Sequence, residues 1–191
     1  ITCPADTTVG NATGFCGAFV SWATPTASDN CTSAPTVTQT GGPNSGSFFP
    51  VGNTPVTYSA TDSSGNSASC QFTVTVIDTE APTIVCPPNV TVSNDTLTCS
   101  AQVIYPVPNG TDNCPGANTT QIAGLPSGSS FPIGVTTNTF VVTDTNGLVD
   151  TCSFTIEIID LVGPQITCPN DTTVSNDPSF CHAVVNYATP T

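Results

Sequence analysis

The chain reads as an all-β protein made of tandem immunoglobulin-like β-sandwich repeats, two complete and the start of a third. Three observations predict this. Ile1-Thr2-Cys3-Pro4 recurs as Ile84-Val85-Cys86-Pro87 and again as Ile166-Thr167-Cys168-Pro169, so the sequence is self-similar at the scale of a small domain. Short runs alternate apolar and polar residues with the period of a half-buried strand. No segment has helical periodicity, and Gly and Pro, at 15 and 18 of the 191 residues, punctuate the runs as turns do. The divisions that follow are residues 1–80, 81–163 and 164–191.

Within the first repeat, strands are expected near residues 1–9, 16–23, 35–40, 46–50, 55–61 and 68–77, the six or seven short strands of a sandwich. The first opens at Cys3-Pro4 and the second follows Cys16. In the second strand Ala18, Val20 and Trp22 match Ala101, Val103 and Tyr105, then Ala183, Val185 and Tyr187, whereas Phe19 becomes Gln102 and Val184. Slots that stay apolar between repeats are assigned inward and the others outward. Phe49-Pro50-Val51-Gly52, matched by Phe131-Pro132-Ile133-Gly134, marks a corner before Val56, Tyr58 and Ala60. Asp62-Ser63-Ser64-Gly65-Asn66, matched by Asp144-Thr145-Asn146-Gly147, is a hairpin connection with glycine where positive φ is needed. In the last strand Cys70, Phe72, Val74 and Val76 alternate with Gln71, Thr73 and Thr75, as Cys152, Phe154, Ile156 and Ile158 do later, giving one dry and one wet face. The third repeat holds its first two strands only.

The charge balance is unusual, with no Lys or Arg against 13 Asp and Glu, a formal net charge of −13. Without cations to neutralise phosphates, binding to nucleic acid or to an anionic lipid surface lacks its main electrostatic contribution. No apolar run reaches the roughly 20 residues of a membrane span, and no secretory leader pattern opens the chain, so a mature product or an internal fragment is expected. The 10 cysteines, regularly spaced and without CxxC pairs, point to disulfides made in an oxidising compartment and hence to an extracellular, secreted or cell-surface protein.

The combined marks resemble the HYR domain (hyalin repeat) family. They are the Cys-Pro start, Pro25 followed by Asp29-Asn30-Cys31, the Phe49-Pro50-Val51-Gly52 corner, Val56-Thr57-Tyr58 leading to Thr61-Asp62 and Gly65-Asn66, and Cys70-Gln71-Phe72-Thr73-Val74. The departure is Leu148, which stands where the first repeat has Asn66. The resemblance implies tandem extracellular modules of adhesion and matrix architecture, with no catalysis. Four cysteines per repeat allow three pairings. First and last strands that run side by side bring Cys3 near Cys70 and Cys86 near Cys152. Family members that keep only the first and fourth cysteines agree, which leaves Cys16 with Cys31 and Cys99 with Cys114. Cys168 and Cys181 are expected to pair outside this segment, either in a longer chain or, with residues 166–191 completing a neighbour by strand addition, between molecules.

Few residues invite chemistry. His182, the only histidine, fills the slot of Gly17 and Ser100 and is read as an outward strand residue. Trp22 is read as core. No catalytic residue, metal or cofactor is assigned. Were the chain to hold structural calcium, the oxygen donors in turns and linkers would be Asp29, Asp62, Asp78, Glu80, Asp112, Asp144 and Asp160, residue types that also recur in turns to satisfy backbone groups. Asn-x-Ser/Thr sequons occur at Asn11, Asn30, Asn89, Asn94, Asn109, Asn118 and Asn170. Asn11 and Asn94 share one slot, in the turn before the second cysteine, and are the leading glycan positions.

The short linkers Asp78-Thr79-Glu80-Ala81-Pro82 and Asp160-Leu161-Val162-Gly163-Pro164 favour a semi-rigid rod. The expected function is a structural segment of an extracellular filament, stalk or surface coat, glycosylated and self-associating or continued in a longer repeat chain. The alternatives are adhesin repeats that bind a receptor or glycan, and a passive spacer for another domain.

Overall fold

The computed structural model describes residues 1–31 and 34–190. Repeat 1 contains β1 (Thr7–Gly10), β2 (Gly17–Phe19), β3 (Thr36–Gly41), β4 (Phe48–Pro50), β5 (Gly52–Thr61) and β6 (Ser67–Ile77). Repeat 2 contains β7 (Val90–Ser93), β8 (Ser100–Gln102), β9 (Asn118–Ala123), β10 (Ser130–Pro132), β11 (Gly134–Thr143) and β12 (Val149–Ile159). Each repeat pairs a four-stranded sheet, ordered β1-β6-β5-β3 or β7-β12-β11-β9, with a two-stranded one, β2-β4 or β10-β8. The first strand lies parallel to the last, with Thr7 opposite Val74 and Val90 opposite Ile156. All other pairings are antiparallel.

Period-2 patterning produces the core. Val56 and Tyr58 of β5 and Phe72, Val74 and Val76 of β6 point inward to meet Ala18, Val20 and Phe49. Their counterparts in repeat 2 are Phe140, Val142, Phe154, Ile156 and Ile158, facing Ala101, Val103, Tyr105 and Phe131. Phe19, the alternating residue, is 68% exposed. Trp22 is half-buried, and its ring meets Phe49 and Phe72 edge-on at 5.7 and 5.2 Å while its Nε1 donates to Tyr58 Oη at 2.9 Å. Tyr105 takes the same aromatic place against Phe154 at 5.0 Å and donates its hydroxyl to the Leu125 carbonyl. Burial raises its phenol pKa above the ordinary value.

The hairpin between β5 and β6 closes as expected. The Asp62 amide donates to the Asn66 carbonyl, Gly65 has φ 88° and Gly147 has φ 87°. The slot of Gly17 and Ser100 is less open than the outward reading held, because a Cβ on Gly17 would lie 2.3 Å from Cζ of Phe48. His182 is itself exposed.

Residues 160–190 form no strand, contrary to the expected first two strands of repeat 3. The reason lies in the partners: a β1-type strand needs a β6-type neighbour and β2 needs β4, and residues 164–190 contain neither. Ile166 and Tyr187 are each 72% exposed. One piece forms without them. Asn176 Nδ2 donates to the Phe180 carbonyl at 2.7 Å, as Asn11 does to Phe15 at 3.0 Å and Asn94 to Thr98 at 3.1 Å. The same backbone turn recurs in all three places, so the turn before the second cysteine is encoded locally.

Candidate inter-repeat site

Chain direction sends different residues to the two poles of each sandwich. At the far pole of repeat 1 the Asn11 amide donates to the Ile77 carbonyl, Gly14 N donates to Glu80 Oε2 at 2.8 Å, and Thr79 N donates to Asn11 Oδ1 at 2.9 Å. Cys16 sits there beside the linker. At the near pole Ile1, Ser28, Asp29, Asp62 and Asn66 line a shallow cleft, and Thr2 bridges Thr26. In repeat 2 the near pole carries Asp112, Asn113, Cys114 and Asp144, and it abuts the far pole of repeat 1.

A disulfide joins the two poles. Cys16 is bonded to Cys114 with a Cα–Cα distance of 4.7 Å and a sequence separation of 98. Within the repeats, Cys3 is bonded to Cys70 and Cys86 to Cys152. The expected Cys16–Cys31 and Cys99–Cys114 links are not formed, and Cys31, Cys99, Cys168 and Cys181 are free and exposed. The path of the chain is the cause. The ten residue steps from Cys16 to Thr26 run from one pole to the other, up to about 33 Å in extended chain, whereas bonded cysteines need Cα atoms within about 7 Å. The second cysteine of one repeat faces the third cysteine of the next.

Hydrogen bonds reinforce the contact. Asn113 Nδ2 donates to the Phe15 carbonyl at 3.0 Å and Asn146 Nδ2 to the Asp78 carbonyl at 3.3 Å. A carboxylate oxygen of Asp78, one of Asp112 and Cys114 Sγ lie within 4.8 Å of one another. Asp78 and Asp144 are only 7% and 8% exposed. Each of the three acids uses Oδ1 to hold its own turn: Asp78 accepts from Glu80 N, Asp112 from Cys114 N, and Asp144 from Asn146 N and Leu148 N. The Oδ2 atoms of Asp78, Asp112 and Asp144 are buried without a hydrogen-bond partner, as is Asn113 Oδ1.

The remaining acids lie apart. Asp62, at the near pole of repeat 1, has Oδ2 met by Asn66 Nδ2 at 2.8 Å, and this bond is the largest cause holding its carboxyl below the ordinary value of 3.8. Asp29 is exposed and accepts from Cys31 N through Oδ2. Glu80 is engaged with the Asn11–Gly14 turn, and exposed Asp160 accepts from Val162 N. Among the sequons, Asn30, Asn89, Asn109, Asn118 and Asn170 are exposed while Asn11 and Asn94 are half-buried. The Thr32 hydroxyl that completes the Asn30 sequon lies outside the described residues. Sequence reasoning had singled out Asp78, Asp112 and Asp144 but missed Asn113 and the joining of the poles. The recurring Asp-Asn-Cys triplet was the available signal.

These features belong to a repeat module. The HYR domain model matches residues 1–76 and 77–158, and the chain is a member of the HYR domain family. Hyalin of Strongylocentrotus purpuratus is 40% identical over 173 residues, covering 87% of this chain and 14% of that protein. The serine-rich adhesin for platelets of Staphylococcus aureus strain MSSA476 is 33% identical over 175 residues, covering 79% of this chain and 7% of that protein. The chain thus spans a small part of either relative. Among solved structures, protocadherin gamma C5 EC1-3 superposes with a TM-score of 0.37 at 15% identity, over 80% of this chain and 65% of that one. The chain is thus a tandem module of two HYR domains.

Proposed function

We propose that the chain is a structural segment of a secreted filament, stalk or surface coat, in which consecutive repeats are joined covalently into a rod. The observation that carries this reading is the Cys16–Cys114 disulfide. A proline-containing linker limits bending of the two repeats, and a second covalent link spanning the same junction restricts it further. Repeat equivalence extends the scheme. Cys99 and Cys181 stand where Cys16 stands, and Cys31 stands where Cys114 stands, so each repeat presents one thiol forward and one back. Cys168 stands where Cys3 and Cys86 stand. Glycans on Asn11 and Asn94 would shield the turn beside this junction and the exposed threonine faces.

Digestion at aspartates without reduction, followed by mass spectrometry, is expected to release peptides of Cys16 and Cys114 joined to each other; a Cys16–Cys31 peptide would remove the basis of the rod. Electron micrographs of the native material are expected to show fibres with an axial repeat of one or two domains. Dispersed monomers would count against the filament and leave the adhesin repeat, which the kinship to a platelet adhesin favours.

A further inference from the structure

We propose that Asn118 carries an N-linked glycan whose first sugars lie over the outer face of the four-stranded sheet of repeat 2. The inference concerns a different asparagine from the turn positions Asn11 and Asn94, and it does not rest on the rod reading.

Strand alternation fixes which side chains reach that face. In β9 Thr119 Oγ1 accepts from Gly110 N and Gln121 Nε2 donates to Asn138 Oδ1, so these two turn inward. Asn118, Thr120 and Ile122 therefore turn outward. The acceptor amide and the hydroxyl of its sequon share one open face. Asn118 is exposed at the start of an edge strand. Other sequon asparagines are engaged: Asn11 and Asn94 donate to the carbonyls of their own turns, and Asn89 accepts from Thr155 N. Among the described residues the Asn118 side chain has no hydrogen-bond partner.

The surroundings of Asn118 differ between the repeats in one direction. Across the sheet, Asn118 lies opposite Thr143 and Thr143 opposite Val149, while Thr120 lies opposite Val141 and Val141 opposite Thr151. Repeat 1 has Thr36, Thr61 and Ser67 in the first row and Thr38, Ser59 and Ser69 in the second. Thr40 stands in the place of Ile122. The repeat without a sequon on this strand thus presents hydroxyls throughout, and the repeat with one places Val141, Val149 and Ile122 around the asparagine. Val149 and Ile122 are 53% and 60% exposed. Val141 is a diagonal neighbour of Asn118, about 7 to 8 Å away, and Val149 is two strands away, about 10 Å. The first two sugars of an N-glycan span that distance, and their C–H faces cover apolar side chains while their hydroxyls meet the intervening threonines. An edge strand flanked by exposed apolar residues invites pairing with another chain. A bulky, solubilising group at its first residue blocks that approach.

Attachment requires a lipid-pyrophosphate oligosaccharide as donor. The bond between the anomeric carbon and the phosphate oxygen breaks, a bond from that carbon to Asn118 Nδ2 forms, the amide gives up one proton, and the lipid pyrophosphate departs.

The test uses the native secreted protein, reduced, cleaved at acidic residues and treated with a peptide N-glycosidase in heavy-oxygen water. The peptide between Asp112 and Asp144 contains no other sequon, and its Asn118 is expected to emerge as oxygen-labelled Asp by mass spectrometry. Recovery of that peptide unmodified before enzyme treatment overturns the proposal and assigns the apolar residues to a protein partner. In the whole chain secreted from eukaryotic cells, Asn118→Gln and Thr120→Ala should each lose the mass of one glycan, and Thr120→Ser should keep it. Asn118→Gln should also bind more of a hydrophobic dye than the parent, and adding Ile122→Thr, Val141→Ser and Val149→Ser, the residues of repeat 1, should remove the excess. Dye binding equal to the parent overturns the placement of the sugars over the sheet. Should Asn118→Gln fail to be secreted, Thr120→Ala decides.

Discussion

Single residues show how one slot serves different ends in successive repeats. Asp62 and Asp144 open the same hairpin, but Asn66 pairs with the first and Leu148 cannot pair with the second. Because Asp62 has a depressed folded-state pKa, the stability it contributes is present above the unfolded value and is lost as pH falls below about 3.8 through the folded value. Asp62→Asn is therefore expected to flatten the acid limb of the stability profile of repeat 1 without affecting neutral pH behaviour in the same proportion, measured by urea unfolding from pH 2 to 7. An unchanged acid limb would refute the assignment. Burial decides the aromatic positions. Phe49 is fully buried while Phe19 is 68% exposed, so Phe49→Ala should cost about 3 to 5 kcal/mol. Phe19→Gln, which installs the residue found at position 102, should change stability by no more than about 0.5 kcal/mol.

At the scale of elements, the strands obey alternation and the hairpins obey glycine chemistry. Gly65 at φ 88° has nothing within 4 Å of a would-be Cβ, so Gly65→Ala isolates backbone strain from packing. It should destabilise repeat 1 by about 1 to 2 kcal/mol, read from chemical denaturation, and an unchanged midpoint would mean that the hairpin relaxes. The parallel pairing of β1 with β6 places Cys3 beside Cys70 at a Cα–Cα distance of 5.7 Å. Closing a loop with a sequence separation of 67 is worth about 4 kcal/mol in the chain-entropy model, on the order of the net stability of a small domain. Strand direction, inward slots, hairpins and the neighbouring of Cys3 with Cys70 were all legible because they depend on local alternation and on the order of strands in a sandwich. The second strand hid one thing. Its two flanking cysteines are 15 residues apart in sequence, and only its extended path separates them in space.

For the molecule as a whole, the junction governs behaviour. Cys16→Ser together with Cys114→Ser is expected to leave both cores folded while increasing the spread of repeat orientations. Small-angle scattering would register this as a broader distribution of interatomic distances with unchanged far-ultraviolet dichroism. An identical distribution would mean that linker and hydrogen bonds alone set the geometry. The absence of Lys and Arg further predicts that trypsin leaves the chain in one piece, as electrophoresis would display. By itself the sequence determined the all-β class, the tandem repeats, the inward slots and the extracellular chemistry of the cysteines, since these follow from periodicity and composition, which are read residue by residue. Only the tertiary structure decided that Cys16 meets Cys114, that carboxylate oxygens of Asp78 and Asp112 come within 4.8 Å of each other at the junction, and that residues 164–190 lack partners for their strands. Those outcomes depend on which pole each turn reaches and on what the neighbouring repeat brings to it, and no local pattern carries that information.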